Sequence, residues 1–421
     1  MNAAVRRVAL GATLALAAIA TLLLQGDGAA PADADLMAVA APVADHENGY
    51  VTLAAAAELL QWPEDEASGD RLIAMSRGVG WDDELAARVL AANEFALHAF
   101  ARVARNPAFQ SPAGSPAPRP PLAEALRLEH VLAIRAIAAA RRGEAEPALE
   151  DSLLAMRTAR RIGANPNGAL LYAEASFAAG EIGLRALEAV SQRIPLGAER
   201  SLALSRELSA LRPSAADWRS ALAAEYRIER ALLVASTGDR ELLETRAASA
   251  PAERIVRWLP DRYALQPNNS LAALAAEVRV QQARADEPCS PPPDVRPLGL
   301  LELLRPNPLG RRALAEMSER GRVETSRCAQ IAHIELMRAG VAVRAVEADR
   351  GVLPPSLEAL VPAYQDAAPV DPFSGGVLRF DRAQRVIYSV GSDGVDDGGR
   401  ERPDAEQPRE PRFVVPAVAP R

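Results

Sequence analysis

The fold class is decided by residues 169–192, ALLYAEASFAAGEIGLRALEAVSQ. This stretch contains no proline, is built mostly of small and apolar residues, and carries charge only at Glu174, Glu181, Arg185 and Glu188. The three glutamates recur every seven residues and therefore share one helix face, where Glu181 can pair with Arg185 one turn further on. The stretch predicts a helix that is buried on its other sides. A solvated face explains the glutamates more simply than a metal site does.

The same helical pattern extends along most of the chain. Apolar residues return at three- and four-residue steps, which is the spacing of one helix face. The small residues Gly143, Ala148 and Ala155 resemble part of a tetratricopeptide hairpin, although no 34-residue repeat follows. Further helices are predicted at Trp81–Arg105, Leu122–Arg142, Glu144–Ile162, Ala215–Ala235, around 239–258 and 270–285, and from about Pro308 to Asp349. The pattern predicts a mainly α protein whose larger domain is made of helical hairpins.

Proline-rich and polar stretches divide the chain. Residues 26–48 are rich in Ala, Asp, Pro and Gly and predict a flexible tether, and residues 106–121 predict a proline-rich loop. A second proline-rich stretch predicts a linker between two domains. The predicted organisation is an export segment at 1–25, the tether, an α-helical domain at 49–285, the linker at 286–297 and a C-terminal domain at 298–421.

The N-terminus has the pattern of an export signal. Arg6 and Arg7 precede an uncharged apolar run from Val8 to Leu24. A basic end that stays in the cytoplasm before an apolar segment that enters the bilayer is the signature of export. Both cleavage after Gly28-Ala29-Ala30 and retention as a membrane anchor remain open. We therefore expect a location in the periplasm or on the extracytoplasmic face of the inner membrane.

The net charge and the cysteine content limit which class of partner and which cellular compartment are expected. The net charge of −7 disfavours a nucleic-acid partner, because such proteins present clustered basic residues to the phosphates. The expected partners are therefore envelope proteins, with the membrane as a further partner if the N-terminal segment is uncleaved. Two cysteines, Cys289 and Cys328, suit an oxidising compartment. The sequence allows either one disulfide or two unrelated thiols.

Three C-terminal motifs occur in an informative order. The long helix ending near Asp349 leads into PPSLEALVP at 354–362, then DPFSG at 371–375, then YSVGSDGVDDGG at 388–399. Short β-type runs at Val377–Phe380 and Val386–Val390 predict a hairpin, and 413–418 predicts an edge strand. Over about residues 322–415 this order resembles the C-terminal part of the major pseudopilin of type II secretion systems. The resemblance implies a small α+β domain with a long helix and a short antiparallel sheet.

The acidic loop of this region is the candidate metal site. In the pseudopilin family that loop binds calcium, and the resemblance implies the same role for Asp393, Asp396 and Asp397, with Asp404 next in line. The composition agrees, because calcium takes about six to eight oxygen ligands and nearby glycines let backbone carbonyls turn inward. A solvated acidic turn without an ion is the alternative. The predicted site is thus a calcium site held by these four aspartates.

The chain also departs from a filament subunit. The helix before the motifs carries Arg327, His333, Glu335 and Arg338, so it does not match the apolar stem that packs a pilus core. Filament assembly is therefore not expected of this chain, whereas the small C-terminal fold is.

No catalytic motif is apparent in the sequence. Of the four histidines, His46 falls in the tether, and His98, His130 and His333 fall on separate predicted helices. We therefore predict a non-catalytic envelope scaffold or interaction protein, associated with a type II secretion or pilus-like system and stabilised at its C-terminal end by calcium. The alternatives are a calcium-dependent surface module unrelated to secretion and an envelope enzyme of unrecognised type.

Overall fold

A computed structural model describes residues 26–112, 121–194, 196–237, 239, 261–289, 305–319, 321–400 and 411–416. Over these residues the chain is mainly helical and carries one small three-stranded antiparallel sheet. The predicted class, mainly α with a short antiparallel sheet, is confirmed. Among the described residues no helix has the length and apolar character needed to cross a bilayer. The predicted export segment, all but one residue of the helix expected around 239–258, and Asp404 lie outside them.

Helices occupy most of the described chain. A single turn of 3-10 helix at Asp45–Glu47 comes first, followed by α1 Gly49–Leu59, α2 Glu66–Met75, α3 Asp83–Ala92, α4 Glu94–Val103, α5 Leu122–Arg141, α6 Ala145–Gly163, α7 Leu170–Ser191, α8 Ala198–Ala210, α9 Ala215–Ala235, α10 Asp261–Ala264, α11 Pro267–Ala283, α12 Pro308–Glu319 and α13 Gly321–Arg350. Helices α5, α6, α7 and α9 lie where the periodicity predicts them. A left-handed Gly143 with φ of 81° follows α5, as expected of a helix C-terminus.

The prediction of a single helix from Trp81 to Arg105 is wrong, because the structure has two helices there, α3 and α4, separated at Asn93. The fully buried Asn93 amide donates to the carbonyl oxygens of Gln61 and Val89, and its side-chain oxygen accepts the Gln61 backbone N–H at 2.8 Å. Such side-chain bonds to the backbone compete with a continuous helix. Apolar periodicity does not register this competition.

The sheet lies near the C-terminus and has three short strands: β1 Arg379–Asp381, β2 Val386–Tyr388 and β3 Arg412–Val414. Strand β2 is central and pairs antiparallel with both neighbours, Phe380 and Phe413 each opposing Ile387. The first strand begins two residues later than predicted. Within the PPSLEALVP motif, Glu358–Leu360 form a short 3-10 helix.

The chain forms two compact units. The larger comprises Val39–Ala221, Ala285–Pro292 and Arg322–Arg421, and the smaller takes its described residues from Met1–Ala38, Leu222–Arg284 and Pro293–Gly321. The larger unit therefore draws residues from both sides of the predicted linker at 286–297. Within the smaller unit, Asn307 Oδ1 accepts the Gln266 backbone N–H at 2.9 Å, which holds the start of α12 beside that of α11.

Helix α13 is the centre of the larger unit's core. Its apolar residues Ile334, Met337 and Val341 are buried, as the periodicity predicts, and Ile331 is half-buried. One continuous cluster joins them to residues of α5, α6, α7 and α8 and to Ile387 of the sheet. A second cluster packs α1 to α4 onto α5, α6 and α7. The helical hairpins and the C-terminal sheet therefore share a core.

Glycines allow the closest approaches in this core. A Cβ at Gly340 of α13 would lie 2.3 Å from the Phe413 ring, so the absent side chain lets β3 press against the helix. A Cβ at Gly180 of α7 would lie only 1.6 Å from the Gln330 amide of α13. The sequence predicted no role for Gly180, and the structure gives it one in packing.

Polar side chains of α13 face the helical bundle as well. The buried Glu335 carboxylate accepts two hydrogen bonds from Arg338, each 2.8 Å, and one from Arg212 at 2.9 Å. Arg338 Nε also donates to the Ser205 backbone oxygen and hydroxyl. These residues link α13 to α8 and to the segment after it.

A disulfide joins Cys289 to Cys328, the second of which lies on α13. The Cys289 backbone N–H donates to the Pro372 carbonyl at 2.8 Å, so the bridge also fixes the chain beside the Asp-Pro turn. Of the two possibilities left open by the sequence, the structure has the disulfide. Both cysteines are buried, which suits a permanent structural bond.

Glu129 on α5 is the one fully buried carboxyl among the described side chains whose two oxygens both lack a hydrogen-bond partner. Burial raises the pKa of this carboxyl well above its ordinary value of 4.5, because the charged form loses its hydration. The folded state therefore keeps the Glu129 proton to a higher pH than the unfolded state does. Stability from this group is greatest below 4.5 and falls as the pH rises above it.

Glu129→Gln should raise the free energy of unfolding near neutral pH by roughly 1–2 kcal/mol, since it removes a buried ionisable group while keeping its shape. The gain should shrink as the pH falls below 4.5, where the wild-type carboxyl is protonated in both states. Urea unfolding of both proteins across this pH range measures the difference. Glu174→Gln, at an exposed position of α7, is the control. A gain that does not vary with pH would contradict the raised pKa of the Glu129 carboxyl.

Candidate functional site

The acidic loop begins directly after β2 and turns repeatedly at glycine. Gly394 and Gly398 have φ of 69° and 77°, a left-handed backbone that glycine adopts without strain. Asp393 Oδ1 accepts the Val395 backbone N–H at 3.1 Å, and Asp396 Oδ1 accepts that of Gly398 at 3.0 Å. The aspartates thus cap two consecutive turns of the loop.

The described carboxylates of this loop do not converge on one point. The second oxygen of Asp396 lies 3.5 Å from the Arg379 guanidinium of β1. Over the described part of the chain, which excludes Asp404, no group of three His, Cys, Asp or Glu side chains is placed to hold a metal. The calcium site at Asp393, Asp396, Asp397 and Asp404 therefore stays a prediction.

Asp371 holds the start of this loop through hydrogen bonds. It is fully buried, and its carboxylate accepts hydrogen bonds from the Ser389 hydroxyl at 2.7 Å and the Val390 backbone N–H at 3.1 Å. The same carboxylate accepts the Phe373 backbone N–H and the Ser374 hydroxyl within its own turn, both at 3.1 Å. A single side chain therefore joins the Asp-Pro turn to the strand that enters the acidic loop. The sequence motif contained Asp371, but its linking role is visible only in the structure.

The end of the loop is fastened to the sheet. The Arg412 guanidinium of β3 donates to the Gly399 carbonyl at 3.3 Å. A Cβ at Gly399 would lie 2.7 Å from the Tyr388 ring, so only glycine permits this approach at its φ of 66°. Both ends of the segment 391–399 are thus held by neighbouring strands.

A wide groove opens elsewhere in the larger unit, between α4, α5 and α6. Its volume is about 610 Å³, within the range of pockets that hold ligands. The buried Leu97 and Leu154 line it, and Phe95 stands beside them with 79% of its surface exposed. An exposed aromatic ring on a groove lined by both apolar and charged side chains is a feature of protein-binding surfaces.

Ion pairs shape the wall of this groove. Arg135 forms a bidentate pair with Asp151 at 2.7 and 2.8 Å, joining α5 to α6. Arg157 pairs with Glu150 at 2.7 Å and with Glu207 of α8 at 2.9 Å. These planar, charge-assisted contacts fix the spacing of the helices that line the groove.

The histidines are spread over the larger unit. The His130 Nδ1 atom lies 2.8 Å from the Ser76 hydroxyl, which donates to the Ile73 carbonyl at 2.7 Å. Burial, assisted by the charge of Arg77, lowers the pKa of His130 to about 4. An imidazole with a pKa of about 4 is a weak base, and the Ser76 hydroxyl directs its proton to the Ile73 carbonyl rather than to His130, so this pair lacks the features of an activated nucleophile.

His333 of α13 contacts the row of three glutamates on α7, Glu174, Glu181 and Glu188, at its middle member. Its Nδ1 atom lies 2.5 Å from Glu181, which also pairs with Arg185 at 2.8 Å. Burial acts to raise the pKa of Glu181, but the hydrogen bonds and charges of His333 and Arg185 together outweigh it and the pKa is lowered. Glu174 is exposed and Glu188 is half-buried, so the row is only partly a solvated face. The predicted pairing of Glu181 with Arg185 is confirmed.

A smaller polar pocket lies where α6, α7 and α13 meet the start of α9. The Arg160–Asp217 ion pair, at 2.5 Å, lines it together with three buried side chains. Arg327 Nε, Trp218 Nε1 and Gln330 Oε1 have no protein partner there, and the Arg327 guanidinium stacks 5.7 Å from the Trp218 ring. Burial lowers the pKa of Arg327. Sequence spacing gave no signal for this pocket, because its members come from distant segments.

Comparisons of the chain with protein-family models, with curated proteins and with solved structures find no match. The likeness to pseudopilins therefore rests on the three C-terminal motifs and their order.

Asp371→Ala should lower the free energy of unfolding by roughly 2–4 kcal/mol, since four donors, two in its own turn and two at the exit of β2, lose a charged acceptor. Chemical denaturation of the full chain measures the loss. Ser374→Ala, which removes one of the four contacts, is the matched control and should cost far less. Equal losses in the two variants would contradict the linking role of Asp371.

Proposed function

We propose that this chain is a non-catalytic scaffold or interaction protein of the cell envelope, which lies in the periplasm or on the outer face of the inner membrane and works with a type II secretion or pilus-like system. The hydrogen bonds of Asp371 carry the proposal. They join the Asp-Pro turn to the strand that enters the acidic glycine-rich loop, and these are the elements on which the pseudopilin resemblance depends.

Two further observations support this proposal. The Cys289–Cys328 disulfide suits an oxidising compartment, where such bonds form and persist. The groove beside Phe95 offers a protein partner an aromatic contact on a wall that ion pairs hold in place. The predicted export signal, the disulfide and the groove lie in three separate parts of the chain, so they support the proposal independently.

The enclosure of α13 argues for a role beside a filament rather than within one. In a filament subunit the long helix packs against neighbouring subunits, whereas here Ile334, Met337 and Val341 pack inside this chain's own bundle. The buried Glu335 and Arg338 are likewise satisfied within the chain. The C-terminal module thus serves as a docking part of a larger protein.

Calcium should stabilise the protein if the acidic loop binds it. Millimolar calcium should raise the melting temperature of the full chain relative to chelator, because a ligand bound only by the native state shifts unfolding by mass action. The full chain is required, since α13 shares its core with α5 to α8. Asp393→Asn combined with Asp397→Asn should abolish the shift, and the exposed Asp70→Asn should retain it. No shift in the wild type at millimolar calcium would sink the calcium proposal.

Partner binding is tested by a photo-cross-linking residue placed at Phe95 and, as the control, at Leu171, which is 55% exposed on α7. In intact cells, position 95 should cross-link to a component of the secretion or pilus apparatus and position 171 should not. Phe95→Ser should reduce co-purification of that component several-fold, because an exposed aromatic anchor is lost. A partner outside that apparatus, released by chelator, would instead favour a calcium-dependent surface module.

A further inference from the structure

Residue Asp27 caps a helix that lies far away in the sequence. Its two carboxylate oxygens accept the backbone N–H groups of Asn268 and Asn269, at 2.9 and 3.0 Å, in the first turn of α11. The Asn268 side chain returns a hydrogen bond to the Gly28 carbonyl at 2.9 Å. The helix's own N-cap residue, Gln266, makes no capping bond with its side chain. Helix α11 therefore takes its cap from residue 27.

The next residues of the chain continue this attachment. Asp33 is buried and accepts the Tyr226 hydroxyl at 2.6 Å and Arg230 Nε at 2.9 Å. The Tyr226 hydrogen bond, with the Arg230 charge and against the opposing effect of burial, lowers the pKa of Asp33. Asp35 forms a bidentate pair with Arg279 of α11 at 2.7 and 3.0 Å.

The attachment ends in an apolar contact. Leu36 is only 2% exposed, and Arg227 of α9 donates to the backbone carbonyls of Leu36 and Ala38 at 3.2 and 3.1 Å. Within the smaller unit, residues 27–38 are thus a strap that crosses α9 and α11, secured by side chains at both ends. The segment predicted as part of a flexible tether makes these contacts.

The strap helps to decide between the two fates that the sequence left open for the N-terminal segment, cleavage and retention as a membrane anchor. Cleavage after the small residues Gly28, Ala29 or Ala30 would remove Asp27 and leave the first-turn N–H groups of α11 without their carboxylate. Uncapped N–H groups at a helix start destabilise the helix and the fold that depends on it. These contacts therefore stabilise the smaller unit only in a chain that still contains residue 27.

We propose that the N-terminal segment is retained after export, so that the smaller unit's partner is the lipid bilayer; this rests on the proposed envelope location. The apolar run ends at Leu24, and among the described residues, which begin at 26, Asp27 is the first with a side-chain contact to the body of the unit. Three residues of extended chain span roughly 10 Å. Retention would thus keep Asp27 within about 10 Å of the end of the apolar run, the greatest length that three residues can span.

The test uses the full chain with a C-terminal tag, expressed in a bacterium, and follows two readouts. Intact mass of the purified protein should include residues 1–30, and the protein should stay with the membranes after alkaline carbonate extraction. A mature N-terminus between Ala29 and Pro31, with the protein released into the periplasm, would overturn the proposal.

Two controls separate the possible failures. A C-terminal alkaline phosphatase fusion should be active; an inactive fusion would reject the envelope location, and an active fusion with a cleaved N-terminus would reject only retention. Asp27→Ala should lower the melting temperature of the detergent-purified protein, and Asp70→Ala, at an exposed position of α2, should not. An unchanged melting temperature for Asp27→Ala would overturn the capping argument itself.

Discussion

The burial of α13 is the constraint on which the larger unit depends. A 30-residue helix that enters the chain late supplies the shared core surface for α5 to α8 on one side and for the sheet on the other. The hydrophobic effect and dispersion supply most of the free energy that favours this packing. Its register is set by polar groups, because Glu335 and Arg338 find their partners at one position of the helix only. Glycines at 180 and 340 then allow the neighbouring elements to approach closely.

The same polar residues explain why this module differs from a filament stem. Arg327, His333, Glu335 and Arg338 interrupt the apolar surface of α13, and each meets a partner from the helical bundle: Trp218, Glu181, Arg212 and Ser205. Breaking a buried charged pair by removing one partner is strongly unfavourable. The helix is thus adapted to a permanent place inside its own chain.

Periodicity and proline were enough to predict where most helices lie, because a buried helix face repeats every three or four residues whatever it packs against. They failed at Asn93, where a buried amide divides one predicted helix, since that competition depends on Gln61 from another segment. The hairpin at 379–388 was predictable from alternation and turn residues. The link from Asp371 to Ser389 was not, because it joins residues whose proximity only the fold creates. The groove at Phe95 and the polar pocket at Trp218 were missed for the same reason.

The position of α13 along the chain has a consequence for biogenesis. Helices α5 to α8 leave the ribosome, and cross the membrane in the proposed export, well before the helix that covers their apolar faces. Long-range contacts of this kind delay folding, and exposed apolar surface invites aggregation meanwhile. The larger unit can complete its core only after Val415 has emerged. If the chain is exported as proposed, it would cross the membrane unfolded, and its apolar faces would stay open to a holding chaperone until the last core residues arrive.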